Sequence, residues 1–184
     1  QFMVNIVSGD GQSTPSNNDF SNPLVVNLSS KNGEPLGTDS STITFSGPNS
    51  GAGLAQSYST TITGTNSVSV AVKANTESGS YTVTATTSGV LSPAHFSLTN
   101  VNLAPVITDT AFVVQETTAV NSVIGTLTAS DINGDSLLYT ISAGNDEHKF
   151  AIDNSGQISL IDTLNAVQTT SYHLSVEVSD GAIS

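Results

Sequence analysis

Two stretches of strict alternation constrain this chain more than anything else in it. In SVSVAVKA, Val68, Val70 and Val72 fall on one face, with Ser67, Ser69, Ala71 and Lys73 on the other. In SYTVTATTS, Tyr81, Val83 and Ala85 oppose Thr82, Thr84 and Thr86. Side chains of a β-strand point to opposite faces in turn, so a period of two marks a strand buried on one side. The denser apolar run NPLVVNLSS, closed by the turn signal Lys31-Asn32-Gly33, reads the same way. So does STITFSG, which runs into GPNSGAG, a loop by composition. No window repeats apolar residues at helical spacing. Only 10% of residues are charged, and Ser, Thr, Asn and Gly supply the polar surface, a mix that suits strands and turns better than helices.

At LTNVNLAPVITD the pattern shifts and acidic residues become denser. Beyond it, AFVVQET, SVIGTLTASD, LLYTISA, KFAIDNSGQISLID and YHLSVEVSDG read as short strands at the even spacing of a sandwich. NDEHKF and LNAVQ each have room for one helical turn. The expected architecture is all-β, two Greek-key β-sandwiches in tandem: residues 1–100, a linker at 101–105, and residues 106–184.

The formal charge of −12 comes from 15 acids against three lysines, with no arginine. Residues 101–184 hold ten of the acids, Asp109 to Asp180, and one lysine, Lys149. Such a chain lacks the cationic footprint that nucleic acid or an anionic membrane surface demands, so neither is an expected partner. A cation is. Cysteine is absent, which excludes disulfides, thiolate metal sites and a thiol nucleophile. No apolar run reaches the roughly 18 residues a membrane span needs. The chain opens on Gln without a basic-then-apolar leader, as a mature or excised segment does.

The chemistry-bearing residues gather in ASDINGDSLLYTI. Asp131, Asn133 and Asp135 offer three oxygen donors from one turn. Calcium takes about six to eight oxygens at roughly 2.3–2.6 Å, from carboxylates, amides and carbonyls. An Asp/Asn/Gly turn that caps its own backbone needs no metal, and at this point both readings stand. The spacing is not that of an EF-hand. His95, His148 and His173 are scattered, without a zinc pattern, and no glycine-flanked nucleophile elbow is present, so the chain is not expected to be an enzyme. Lys73, the one lysine in a valine-rich strand, falls on the Ser/Ala face and is expected at the surface.

Two resemblances sharpen this. Residues 3–100 resemble a bacterial immunoglobulin-like (Big-type) domain, on VSGDGQS, DFSNPLVVNLSSKNGEPL, TITFSGP, SVSVAVKANTESGSYTVTAT and AHFSLTN. That family implies a seven-stranded sandwich acting as spacer or display scaffold in surface adhesins, with no shared active site. Residues 102–184 resemble a bacterial cadherin-like repeat. The resemblance rests on Asn102-Leu103-Ala104-Pro105 at the linker, Glu116 in VVQET, Asp131 and Asn133 in TASDIN, FAIDNSGQISL, and Asp180 in YHLSVEVSDG. In that family the corresponding acids hold calcium between successive modules. The resemblance implies Ca2+ as cofactor, held by Asp131, Asn133, Asp135 and Asp180 with oxygens from Asn100 and Asn102. Glu116 would bind metal only with a following module. The sequence departs from the pattern at LNAV (164–167), which lacks two carboxylates, and at Asn133, which replaces an aspartate.

The resemblance also implies a seventh strand after VSDG, so residues 106–184 read as a sandwich without its last strand. Either the fragment is cut short, or another chain donates the strand; QFMVNIV is a candidate donor that also fits as the first strand of its own domain. The expected role is a non-catalytic stalk, display and cell-adhesion segment of an extracellular bacterial surface protein. Its partners would be neighbouring modules of the same polypeptide, and a cell-surface polysaccharide or protein. The alternatives are a polysaccharide-binding module, which the absence of Trp disfavours, and a donor-strand filament subunit.

Overall fold

A computed structural model of the chain describes residues 2–32, 40–64 and 66–182. The described residues contain strands and turns and no helix, and the chain divides into two compact units, Gln1–Asn102 and Leu103–Ser184. The fold is all-β, two β units in series.

Unit one packs a four-stranded sheet on a five-stranded one. β1 (Phe2–Ser8), β3 (Leu24–Ser30), β6 (Val68–Val70) and β8 (Val90–Ser92) form the first, in the order β6-β3-β1-β8. β2 (Gln12–Pro15), β4 (Ser40–Ser46), β5 (Tyr58–Thr63), β7 (Gly79–Thr86) and β9 (Ala94–Val101) form the second, in the order β2-β9-β7-β4-β5. The alternation read from the sequence becomes burial. Tyr81, Val83 and Ala85 of β7 face Phe96, Leu98 and Ala94 of β9 inside, while Thr82 and Ser97 pair outside. Phe45 of β4 and Phe96 of β9 lie tilted with ring centroids 6.1 Å apart, and both are fully buried. Of the candidate donor segment QFMVNIV, residues Phe2 to Val7 lie in β1, paired with β3 on one edge and β8 on the other within its own sheet, and Gln1 lies outside the described residues. The strand expected at SVSVAVKA is shorter than its pattern. Beyond Val70 the chain makes only isolated bridges, Lys73 with Asp19 and Ala74 with Leu54. Val72 is nevertheless core, and Lys73, expected at the surface, is half-buried. Gly33 of the expected Lys-Asn-Gly turn lies outside the described residues.

A buried amide pins the GPNSGAG loop. The Asn100 side-chain nitrogen donates to Gly53 O at 2.9 Å, Asn75 Oδ1 at 3.0 Å and Glu77 O at 3.1 Å. Asn75 in turn accepts from Gly53 N and Glu77 N and donates to Gly51 O. Asn100→Ala strands several buried acceptors at once. Since one buried polar group left unsatisfied costs about 1–3 kcal/mol, denaturant titration should report a loss on the order of 2–3 kcal/mol for this unit.

Unit two is built from shorter strands: β10 (Val106–Ile107), β11 (Val123–Thr126), β12 (Ala129–Ser130), β13 (Leu138–Ala143), β14 (Phe150–Ile152), β15 (Gln157–Leu160) and β16 (Ser175–Ser179). They pair as β10-β12, β11-β15-β14 and β13-β16. Phe150, Ile158 and Leu160 of the three-stranded sheet and Leu127 form the buried centre; Tyr139, Ile141 and Val176 from β13 and β16 pack on it. Phe150 meets Tyr172 edge-on at 5.0 Å.

The β14–β15 connection is an aspartate turn complete in itself. Asp153 Oδ1 accepts from Ser155 N (2.9 Å), Ser155 Oγ (2.7 Å) and Gln157 N (3.0 Å). The Ser155 hydroxyl, with the Gln157 N–H behind it, holds this carboxyl below the usual range. Gly156 closes the turn at φ 76°, where a Cβ would collide with Leu127 O, so only glycine fits.

One expected strand does not form. AFVVQET lies in 108–122, where no strand is found. Its alternation survives, with Phe112 and Val114 half-buried and Val113 fully exposed. The segment borders a cavity of about 640 Å³, lined among others by Ile107, Phe112, Leu164, Tyr172 and Leu174, rather than a backbone with which to build a ladder. NDEHKF and LNAVQ each form a single turn and no longer helix; in the second, Thr169 N reaches back four residues to Asn165 O at 2.9 Å, one helical turn.

Candidate metal centre

The turn that follows β12 is organised by Asp131. Its Oδ1 accepts from Asn133 N at 2.7 Å and from Asp135 N at 3.3 Å, and its carbonyl accepts from Gly134 N at 3.3 Å. Gly134 takes φ 81°, the left-handed conformation that lets the chain double back. To this point the turn is a self-capping one, like that at Asp153.

Three observations set it apart. First, Asp131 Oδ2 is buried and has no hydrogen-bond partner. A buried carboxylate oxygen without a donor is costly, and native structures rarely keep one without a reason. Second, the carboxylates of Asp135 and Asp180 come to it: one oxygen from each of the three lies within 4.8 Å of the others. Two like charges that close repel by about 1 kcal/mol in bulk water and about 3–4 kcal/mol in partly buried surroundings, and here there are three pairs. Third, Asp180 reaches the turn from a different strand. It follows β16, where its Oδ1 accepts from Ala182 N at 2.7 Å and Ser179 Oγ accepts from Gly181 N at 3.0 Å. Those two bonds fix the chain as it leaves the strand.

Asn133 holds a different post. It is 4% exposed, and its Oδ1 accepts from the backbone N–H of Leu103 at 2.9 Å. The turn is thereby tied to the residue that begins the second unit. The sequence held no sign of this bond, because its donor is a main-chain N–H and any residue at 103 except proline would supply it.

The other residues singled out from sequence lie elsewhere. Asn100 is 1% exposed inside the first unit; its amide nitrogen is committed as described, and its Oδ1 is buried without a partner. Asn102 is half-buried at the end of that unit. Glu116 is exposed in a turn of the 108–122 segment and is not among the clustered acids. His95, His148 and His173 are all exposed. Lys149 pairs with Asp162 at 2.6 Å, away from the cluster.

The cluster therefore joins two parts of the second unit, the turn after β12 and the exit of β16, through three acids close enough for a single cation to neutralise. That donor set is hard oxygen throughout, which suits calcium and not zinc or copper.

Residues 110–184 match the cadherin-domain family. All three clustered aspartates fall within the matched residues. No curated protein matches the chain. Among solved structures, the human protocadherin-24 EC1-2 fragment is similar at 21% identity, over 95% of this chain and 85% of that one, with a TM-score of 0.36. Invasin, a bacterial integrin-binding protein, is similar at 20% identity, over 100% of this chain and 37% of that one, with a TM-score of 0.49. A Drosophila N-cadherin EC1-4 fragment is similar at 15% identity, over 96% and 48%, with a TM-score of 0.31. The cadherin-matching unit thus carries its acids where its own fold concentrates them, and no helix among the described residues is long and apolar enough to cross a membrane.

Proposed function

We propose that this chain is a non-catalytic stalk or display segment of an extracellular, adhesion-type bacterial surface protein, and that its second unit binds calcium. Two observations carry the calcium reading: Asp131 Oδ2 is buried without a hydrogen-bond partner, and one oxygen of the same carboxylate lies within 4.8 Å of oxygens of Asp135 and Asp180. Those three residues would hold the ion, with Asn133 Oδ1 and water or main-chain carbonyls completing the shell. A bound cation there supplies charge neutralisation and cross-linking and no catalytic chemistry.

Each residue has a defined share. Asp131 orders the turn through Oδ1; Asp135 is brought close by that turn; Asp180 comes from the exit of β16, in a different sheet. Asn133 connects the same turn to Leu103 N, so ordering the cluster stiffens the polypeptide where the second unit begins. The −12 charge of the chain keeps copies apart, which suits an exposed stalk. The adhesive role is supported by the cadherin-domain match across 110–184.

Titration calorimetry with calcium tests the site. Saturable binding of about one ion per chain is expected, abolished in Asp131→Ala and retained in Asp153→Ala, whose turn is self-sufficient. Equal binding by both variants, or none by the parent chain, would sink the reading.

A further inference from the structure

Asn133 and Gly134 raise a question that ion binding leaves open. An asparagine followed by glycine is the sequence most prone to spontaneous loss of its side-chain amide, because glycine has no Cβ to obstruct approach of its own backbone nitrogen. The chain contains this dipeptide twice, at Asn32-Gly33 and Asn133-Gly134. Asn32 is exposed. Asn133 is 4% exposed, and both reacting groups are engaged elsewhere: Asn133 Oδ1 by Leu103 N at 2.9 Å, and Gly134 N by Asp131 O at 3.3 Å. The Asn133 N–H is held as well, by Asp131 Oδ1 at 2.7 Å.

We propose that Asn133-Gly134 is a latent modification site, an amide that converts to acid when the Asp131 turn opens and is protected while the turn is closed. The reaction needs only water. The Gly134 nitrogen gives up its proton and attacks Asn133 Cγ; the Cγ–Nδ2 bond breaks and ammonia leaves with the proton, forming a five-membered imide. Water then opens the ring at either carbonyl. One product is aspartate at 133. The other is isoaspartate, in which the main chain runs through the former side chain and is one atom longer.

The two products have opposite consequences. Aspartate keeps an oxygen for Leu103 N and adds a fourth carboxylate beside Asp131, Asp135 and Asp180. Isoaspartate lengthens a turn whose hydrogen bonds are set to within one residue and dismantles it. Opening of this one turn therefore leaves a permanent covalent record in the turn after β12. The protection argument stands on the turn's hydrogen bonds alone; only the effect of the new carboxylate on a cation rests on the calcium reading.

The test is a time course at mildly alkaline pH and in EDTA, so that no ion contributes, with peptide mapping by mass spectrometry. It follows conversion at Asn133 and Asn32 in the native chain, in urea, and in Asp131→Ala, with isoaspartate methyltransferase labelling to separate the products. In urea the two sites should convert at similar rates. In the native chain Asn133 should lag Asn32 by at least tenfold, and Asp131→Ala should recover most of that lag while leaving Asn32 unchanged. Conversion of Asn133 at the same rate in native chain and urea would overturn the proposal. So would an Asn133 that stays unmodified in urea while Asn32 reacts. The native-versus-urea comparison needs no variant, so it decides the matter even if Asp131→Ala does not fold.

Discussion

Excess calcium raises the melting temperature of the second unit well above its value in EDTA, and Asp131→Ala removes the rise. The size follows from mass action. A ligand at a hundred times its dissociation constant adds about 2.7 kcal/mol to the state that binds it. For a domain of this size each kcal/mol moves the midpoint by about 4–8 °C, so an increase of about 10 °C or more is expected. The effect should be this large because the ion does two things at once. An ion held there would give a partner to Asp131 Oδ2, which is buried without a donor, and offset repulsion among three carboxylates whose oxygens lie within 4.8 Å. In EDTA the same residues work against the fold, so Asp131→Ala should melt no lower than the parent by the full cost of its lost turn bonds. Scanning calorimetry in calcium and in EDTA, for parent and variant, checks both statements. A calcium-induced rise of equal size in Asp131→Ala would contradict them.

The second large effect lies in the first unit and concerns packing. Phe96→Ala should destabilise that unit by about 3–5 kcal/mol, the usual cost of emptying a buried phenylalanine site. Phe96 is fully buried on β9, between Phe45 and the neighbours it shares with β7, and strands paired on both edges leave little freedom to collapse into the gap. Denaturant unfolding should show a lower midpoint with an unchanged slope. A loss below about 1 kcal/mol would mean the two sheets are not packed across this ring.

Much of this was legible beforehand, for identifiable reasons. SYTVTATTS could be read as β7 with the correct buried face because every second residue is small polar, and no other secondary structure sorts those side chains onto two faces. The alternation of SVSVAVKA outruns its strand. Its pattern continues through Val72, but from there the backbone leaves the ladder for single bridges to Asp19 and Leu54, and side-chain alternation carries no record of where a hydrogen-bonded partner stops. AFVVQET failed for the same cause: apolar alternation reports burial, and a strand also requires a neighbouring backbone.

The site divides similarly. Asp131, Asn133 and Asp135 announce a turn in any setting, and their spacing placed them together. Asp180, far along the chain, was reached only through the family resemblance, and the fold of the second unit brings it beside that turn. Asp153 teaches the converse. DNSG looks as promising as DING, yet its Oδ1 is fully used by Ser155 and Gln157. What separates the Asp131 turn from the Asp153 turn is one spare buried oxygen and two neighbouring acids, which no local sequence encodes. The Leu103 N–H that holds Asn133 was likewise invisible, being main chain. Asn100 could be read as an oxygen donor from its place near the boundary; its nitrogen proves to be the organising atom of a loop network in the first unit.

The most direct test of the central claim is diffraction from crystals grown with calcium, collected at a wavelength where calcium scatters anomalously. One anomalous peak bonded to Asp131 Oδ2 and to oxygens of Asp135 and Asp180 is expected, and none at Asp153. Crystals that diffract well with no peak at the three aspartates, or with the ion held at Asp153 instead, would contradict it.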